Sequence, residues 1–441
     1  MRLTWVVGVV LISLISASAL HAQGSPQPLT LEESIKIALD RSLNLRSDFE
    51  GIAGSEFRRK ATYTDFLPRW TGSYNGARTN TPNLVGGPGR TEESRTAFNF
   101  STSITQPVYA GGALTANYRI DKIGVDISRT NAEITKRDVV LQVREGYFNI
   151  LNSLKFQEVG EQAVKQFEAQ LEVTKAFFEV GIVPKNDVLQ AEVRLANTRQ
   201  ALALAENRVA TSKSSFNTLL RQGINDPLEV VDILEYRPFG LRLDDCLDEA
   251  IRERPEIRNA ELSIMQAKEA VKIARSGYFP TVDLLANYGR SSEEFHLNGD
   301  IKTERWSYQA LATITFWEWG RTGYQVGESK TRVTQSELGK MQLVDAITLE
   351  VKNAFLGVEV AEKNARTAEK SIEQAEENMR MNEERYKYQV ATQTEVLDAV
   401  TLLAQARVNY YGALSDFYIA QARLERSMGR LYPSKATNNA R

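Results

Sequence analysis

The sequence predicts a mixed, mainly α-helical chain with a minority of β-strand, built as two copies of one unit. Three observations carry that expectation. Apolar residues recur at alternating spacings of three and four over very long runs. Short stretches between those runs alternate apolar and polar residues. The order of both kinds of stretch then repeats about two hundred residues on. A seven-residue apolar repeat is the seam of helices that supercoil around one another, whereas period two marks a strand with unlike faces.

The first element is not part of the fold. Arg2 precedes an apolar run from Trp5 to Ile15, then Ala-Ser-Ala at 17–19 or Leu-His-Ala at 20–22. This reads as a secretory signal over 1–22, with an apolar run too short to span a bilayer. Beyond it no stretch reaches the roughly 18 apolar residues a membrane helix needs, so the exported chain is soluble or crosses a membrane as a β-barrel. A net charge of −2 argues against a nucleic-acid partner. Cys246 is the only cysteine, which excludes an internal disulfide and a cysteine metal cluster. With His21 inside the signal, His296 is the sole remaining histidine, and its polar surroundings read as a surface loop. No phosphate loop, metal-ligand set or nucleophile motif is present, so no cofactor and no enzyme activity are expected.

The duplication runs through the rest. LTLEESIKIALDRSLNLRSDFE (29–50) resembles LRLDDCLDEAIRERPEIRNAEL (241–262) at an offset of 212, and DFLP (65–68) meets GYFP (277–280). ITQPVYAGG (104–112) reads against ATITFWEWG (312–320), and VREGYF (143–148) against VKNAFL (351–356), both at 208. The first repeat is expected over 23–240, with an opening helix at 30–65, strands at 68–108 and a helical hairpin at 110–222. The second is expected over 241–430, with an opening helix at 241–277, strands at 280–318 and a hairpin at 320–429, leaving a tail at 431–441.

The long runs keep the heptad frame. Val344, Ile347, Val351, Ala354, Val358 and Ala361 continue without a slip to Met379, and Val396, Ala399, Leu403, Ala406 and Tyr410 continue to Leu424. The first copy follows more loosely, through Val139, Val143, Ile150 and Phe167, then Ala191, Leu195, Val209 and Phe216. An arm of some 65 residues would reach about 100 Å. Each copy is thus a long antiparallel coiled-coil hairpin. FFEVGIVPKNDVLQA (177–191) and RYKYQVATQTEVLDA (385–399) are its two tips, and the Pro184-Lys-Asn-Asp run suits a turn into a helix.

The short segments are amphipathic strands, four per chain. Phe98, Phe100 and Ile104 alternate with Asn99, Ser101 and Ser103; Val282, Leu284, Ala286 and Tyr288 share a face. Trp306, Tyr308, Ala310, Ala312, Ile314 and Phe316 share another, and RWTGSYNG (69–76) is the weakest of the four. Residues 77–95 and 289–305 read as hairpin loops facing water. Such alternation fits strands between lipid and a polar lumen, or strands of a buried sandwich. In lipid, four strands cannot close alone; two chains would give a filled eight-stranded barrel, three a twelve-stranded barrel with a lumen. A structural coiled-coil protein of the periplasm or cell surface, with a small β head, is the alternative.

The repeated openings, the FLP and YFP before strands, the ITQPVYAGG and ITFWEWG transitions and the paired tips together resemble the TolC family of outer-membrane efflux and secretion channels. The resemblance implies a homotrimer: a 12-stranded β-barrel in the outer membrane of a Gram-negative-type cell, set on a 12-helix α-barrel that tunnels through the periplasm. It implies a passive exit duct of a tripartite efflux or type I secretion system. The partners it implies are outer-membrane lipid, a periplasmic adaptor (membrane fusion) protein and an inner-membrane pump of RND, ABC or MFS type. By the same resemblance the adaptor meets the tips, at Val180, Gly181, Ile182 and Val183 and at Tyr388, Gln389, Val390 and Ala391. Gln389 stands where the family usually has glycine, and Ala391 where some members carry arginine. Glu395 and Asp398 match acids that line the closed aperture; three copies would crowd six carboxylates there and attract cations. Tyr386 and Asp187 match residues of closing contacts between hairpins.

Overall fold

A computed structural model describes residues 28–82, 92–295, 297 and 303–432; the signal reading and His296 lie outside them. The element order is the same series twice: α1 (Leu31–Arg41), α2 (Leu43–Thr64), β1 (Arg69–Pro82), β2 (Glu92–Ala110), α3 (Ala113–Glu179) and α4 (Lys185–Leu219), then α5 (Leu243–Glu253), α6 (Pro255–Ser276), β3 (Thr281–Ser292), β4 (Thr303–Thr313), α7 (Arg321–Lys387) and α8 (Gln393–Ser427). Corresponding helices are equal in length, at 11 residues for α1 and α5, 22 for α2 and α6, 67 for α3 and α7, and 35 for α4 and α8.

Where the sequence reads one opening helix per repeat, the chain makes two. Ser42 (ψ 121°) ends α1 and its hydroxyl caps α2; Arg254 (ψ 121°) ends α5 in the same backbone geometry, without a side-chain cap, before Pro255, which starts α6. Proline is favoured in the first turn of a helix, because its missing N–H would find no partner there, and it pushes the preceding residue out of helical geometry. Thr30 opens α1 with a capping box closed by Glu33.

The strands form one antiparallel sheet in the order β1-β2-β3-β4, so β1 and β4 are its open edges. Its registers put Trp70 opposite Ile104, Ile104 opposite Ala286 and Ala286 opposite Tyr308. One face therefore gathers Trp70, Tyr74, Phe100, Tyr288, Trp306 and Tyr308. The other carries a ladder of polar pairs: Thr71 with Ser103 (2.7 Å), Ser73 with Ser101 (2.7 Å), and Asn99 donating to Asn75 (3.1 Å). No second sheet exists among the described residues to cover the aromatic face, which leaves Trp70, Trp306 and Tyr308 exposed. This disposes of the sandwich alternative.

Three strand limits differ from the sequence reading: residues 289–292 and 303–305, read as loop, pair as the ends of β3 and β4. Residues 77–82 and 92–95 continue the β1–β2 ladder rather than forming loop, because the backbone register persists through their polar side chains. At the other end β4 stops at Thr313, opposite Thr281, the first residue of β3. Ile314–Trp319 has no partner backbone left and turns through Trp319 (φ 55°) and Gly320 (φ 82°) into α7. The first repeat makes the equivalent turn with two glycines, Gly111 (φ 60°) and Gly112 (φ 88°).

The helices pack in the order of the strands they continue. Beside the sheet α2 touches α3, α3 touches α6 and α6 touches α7; towards the tips α4 and α8 take the places of α2 and α6. The heptad positions close the seam of α7 and α8: Ile347, Val351 and Val358 share one buried cluster with Phe417 and Leu424, and Ala375 shares another with Leu403 and Ala406. The link between repeats, 221–242, straps one side of this layer. Leu29 pairs with it at Val230, and Tyr147 donates to Val231 at 2.7 Å. Further on, Tyr236 donates to Glu362 at 2.7 Å.

Candidate functional site: the paired hairpin tips

Both hairpins turn by the same device. In the first, Gly181 N donates to Phe178 O (3.0 Å) and Ile182 N to Phe177 O (2.8 Å); in the second, Gln389 N donates to Tyr386 O (2.9 Å) and Val390 N to Arg385 O (2.8 Å). This is the Schellman ending, which needs a left-handed residue after the cap. Gly181 supplies it at φ 76° and Gln389 at φ 60°. A residue with a Cβ costs roughly 1–2 kcal/mol in that region, so the glutamine is strained but the turn is the same. The tips expose large apolar side chains to solvent: Val180, Ile182, Tyr388 and Val390. Val183 and Ala391 are half-buried beside them.

The side chains behind the turns differ. Tyr386 is buried with its ring tilted on Phe177 of α3, centroids 5.5 Å apart. Burial pushes its phenol up, the nearby Thr174 hydroxyl pulls the other way, and the charge of Asp187 adds to the rise. Asp187 itself is half-buried in the first turn of α4, where its negative charge suits the helix N-terminus. Below Tyr386, Gln170 of α3 donates to Gln393 of α8 at 2.9 Å, with both side chains buried; Gln393 Nε2 has no partner among the described residues.

Glu395 and Asp398 lie one turn apart on α8, each facing an arginine. Glu395 sits 3.3 Å from Arg385, at the end of α7, and takes a 3.2 Å hydrogen bond from Thr392, the cap of its own helix. Asp398 accepts from Arg194 of α4 at 3.1 Å. A weaker 3.4 Å bond from Thr394 to Gln190 lies beside that pair and also joins α8 to α4. Each acid thus has its own cation within the chain: Arg385 at the end of α7, and Arg194 of α4, which passes close enough to α8 to reach across. Arg385–Glu395 lies within one hairpin. Arg194–Asp398 lies between the two.

Sequence reasoning missed Arg194, Arg385, Gln170 and Gln393. Three of these or their partners leave a trace when the tips are aligned at the offset of 208. Phe177 faces Arg385, Lys185 faces Gln393 and Gln190 faces Asp398. The differences in side-chain contacts between the hairpins collect where the repeats disagree. Arg194 faces Leu402 at that offset, a mismatch that does not by itself point to Asp398.

No group of three His, Cys, Asp or Glu among the described residues could hold a metal ion, and no described helix is long and apolar enough to cross a membrane. The model of the family described as outer membrane efflux protein matches residues 35–220 and again 246–430. Among characterised proteins, the probable efflux pump outer membrane protein TtgC of Pseudomonas putida is 22% identical over 412 residues, covering 90% of this chain and 82% of its own. The outer membrane efflux protein BepC of Brucella suis is 21% identical over 419 residues, covering 95% and 89%. Among solved structures, the CmeC outer membrane channel of Campylobacter jejuni superposes with a TM-score of 0.77 at 17% identity, covering 90% of this chain and 85% of that one.

Proposed function

The chain belongs to the outer membrane efflux protein family, and from that premise we propose that it is the outer-membrane exit duct of a tripartite export system, passive and without chemistry of its own. The observation that carries this reading is that both layers stop at the same two edges. The sheet ends at β1 and β4, and the helical layer at α2 and α4 on one side and α7 on the other. Each α7 is the continuation of β4, and α2 runs directly into β1. One rotation about an axis therefore closes both layers together, which abolishes the unpaired strand edges that lipid does not tolerate.

Three copies serve a duct where two do not. Two would give eight strands, whose interior side chains fill. Three give twelve strands and twelve helices around the axis. Helices spaced about 10 Å apart on such a ring put opposite axes roughly 38 Å from one another, leaving an open bore. The aromatic face meets outer-membrane lipid and the hydroxyl and amide ladder lines the lumen, while the helical layer extends through the periplasm. Family membership supports an adaptor and an inner-membrane pump as partners.

The six tips of a trimer form one ring. Their exposed Val180, Ile182, Tyr388 and Val390 supply the apolar contact that an adaptor covers. Glu395 and Asp398 act at the aperture with their arginines, and Tyr386 and Asp187 hold the second hairpin against the first. When the second hairpin swings outward, Arg385–Glu395 travels with it and Arg194–Asp398 must part. Cysteines at facing positions of β1 and β4 test the assembly, since the native Cys246 is buried. Oxidation of outer membranes should give a covalent trimer. A dimer, or recovery of the protein in the soluble periplasmic fraction, would defeat the reading.

A further inference from the structure

A groove of about 1210 Å³ runs along one side of the helical layer, between α3 and α7 with α8 as its floor. Its orientation follows from the strap on the opposite side. Tyr236 hydrogen-bonds Glu362, and the groove is lined by Val360 and Asn364, two residues to either side. The Tyr418 hydroxyl donates to the Glu235 carbonyl, and the groove takes Asp416 and Ala420. Tyr147 donates to Val231, and the groove takes Glu145 and Asn149. Two residues are a little over half a helical turn, so on all three helices the groove and the strap face opposite ways. Connections run over the outer surface. The groove therefore faces the axis of the tunnel, given the duct reading above.

The lining is unlike a smooth conduit wall. Leu356 and Val360 project into the groove at 42% and 57% exposure, and Phe156 closes one side. Gly357 lies between them in the middle of a 67-residue helix, with nothing within 4 Å of where a Cβ would stand. A mid-helix glycine is costly relative to alanine, and no neighbour demands this one; what it leaves is room in the groove. Arg423, itself exposed, pairs with Glu145 at 2.7 Å, which leaves Asp416 as the exposed charge of the lining without an ion pair among the described residues.

We propose that this groove is a resting site on the tunnel wall for an apolar organic cation. The apolar body lies on Leu356 and Val360 over Gly357, and the positive group faces Asp416. Three such sites in a trimer hold cargo midway along the helical tunnel, away from the tips and from the barrel.

Rhodamine 6G, an aromatic cation, tests this by fluorescence anisotropy with the full-length trimer in lipid nanodiscs, measured over empty nanodiscs. Gly357→Leu, which fills the space and favours helix, should weaken binding about tenfold. Asp416→Asn, nearly the same shape, should weaken it about threefold for the lost charge. Both variants should give wild-type currents in planar bilayers, which certifies their fold. Equal dye affinity for wild type and both variants, with currents intact, overturns the site alone. Absence of current from the wild-type trimer overturns the duct reading, and the resting site with it.

Discussion

The two hairpin tips share a backbone and differ in nearly everything attached to it. Both close with the same pair of hydrogen bonds and a left-handed residue, Gly181 or Gln389. Yet Phe178 at the first tip is exposed, while its counterpart Tyr386 at the second is buried against α3. Pro184 starts α4 without a side-chain cap, whereas Thr392 caps α8 through Glu395. Lys185 is exposed, and Gln393 in its place is buried and bonded to Gln170. The two copies share the turn, and the side chains that reach across to the other hairpin from it, Tyr386 and Gln393, stand in the second. The second tip is thus joined to the first hairpin by side-chain contacts that the first tip's own turn does not make.

Breaking the shared feature should have the largest effect. Gly181→Val forces a β-branched residue into the left-handed region, roughly 1–2 kcal/mol, and misplaces Val180 and Ile182. Efflux measured by drug or dye accumulation in cells should be lost while trimer and outer-membrane insertion persist. Loss of the trimer instead would make the tip a structural element.

Breaking the contact between hairpins comes next. Arg194 and Asp398 are 43% and 61% exposed, so one pair is worth about 0.5 kcal/mol. Three pairs broken together would total about 1.5 kcal/mol, roughly a tenfold rise in open probability. Arg194→Ala should show that rise in single-channel records, and Asp398→Ala should add little on top of it. Arg385→Ala, within one hairpin, should leave gating almost unchanged. Its effect belongs to selectivity: removing that cation leaves Glu395 uncompensated and should strengthen cation preference, read from the reversal potential in a salt gradient.

Swapping the left-handed residues sharpens the comparison at smaller scale. Gln389→Gly should stabilise the second tip by about 1 kcal/mol and Gly181→Gln should cost the first a similar amount, both read as local hydrogen-exchange protection. Equal protection in both variants would mean that the strain at Gln389 is relieved elsewhere.

A like contrast holds at the other end of the hairpins. The first repeat is anchored there by an apolar cluster around Tyr147, Phe148 and Phe216. The second adds ion pairs, with Arg254 holding Glu256 (2.7 Å) and Glu350 (2.6 Å), and Arg426 reaching Glu256 at 3.4 Å. Burial raises the Glu256 pKa, but the hydrogen bonds from Arg254 outweigh it and hold the carboxyl below its ordinary value. A depressed carboxyl contributes stability that is complete above its unfolded value, about 4.5, and fades as pH falls through the folded one. Acid below that value should therefore loosen α6–α8 before α3–α4, the smallest of these effects. Limited proteolysis at low pH would show it.

Much of this fold was legible in the sequence because its periods are long. The heptads from Val344 to Leu424 persist through many turns, and each repeat supports the reading of the other. The tips were legible as places, since Gly181 and Pro184 punctuate an otherwise unbroken pattern. What stood outside local pattern was partnership. Arg194 meets Asp398 only because two hairpins pack side by side, and Gln170 meets Gln393 for the same reason. Strand limits failed at 77–82, 92–95, 289–292 and 303–305 because a backbone ladder tolerates polar side chains there. They failed after Thr313 because pairing ends where the neighbouring strand ends.

The most direct test of the central claim is single-channel recording of the purified trimer in a planar lipid bilayer at neutral pH, with Arg194→Ala beside it. A membrane duct closed by its second hairpins predicts small, long-lived openings that become roughly tenfold more frequent in the variant. A folded trimer that passes no current in either form would contradict it.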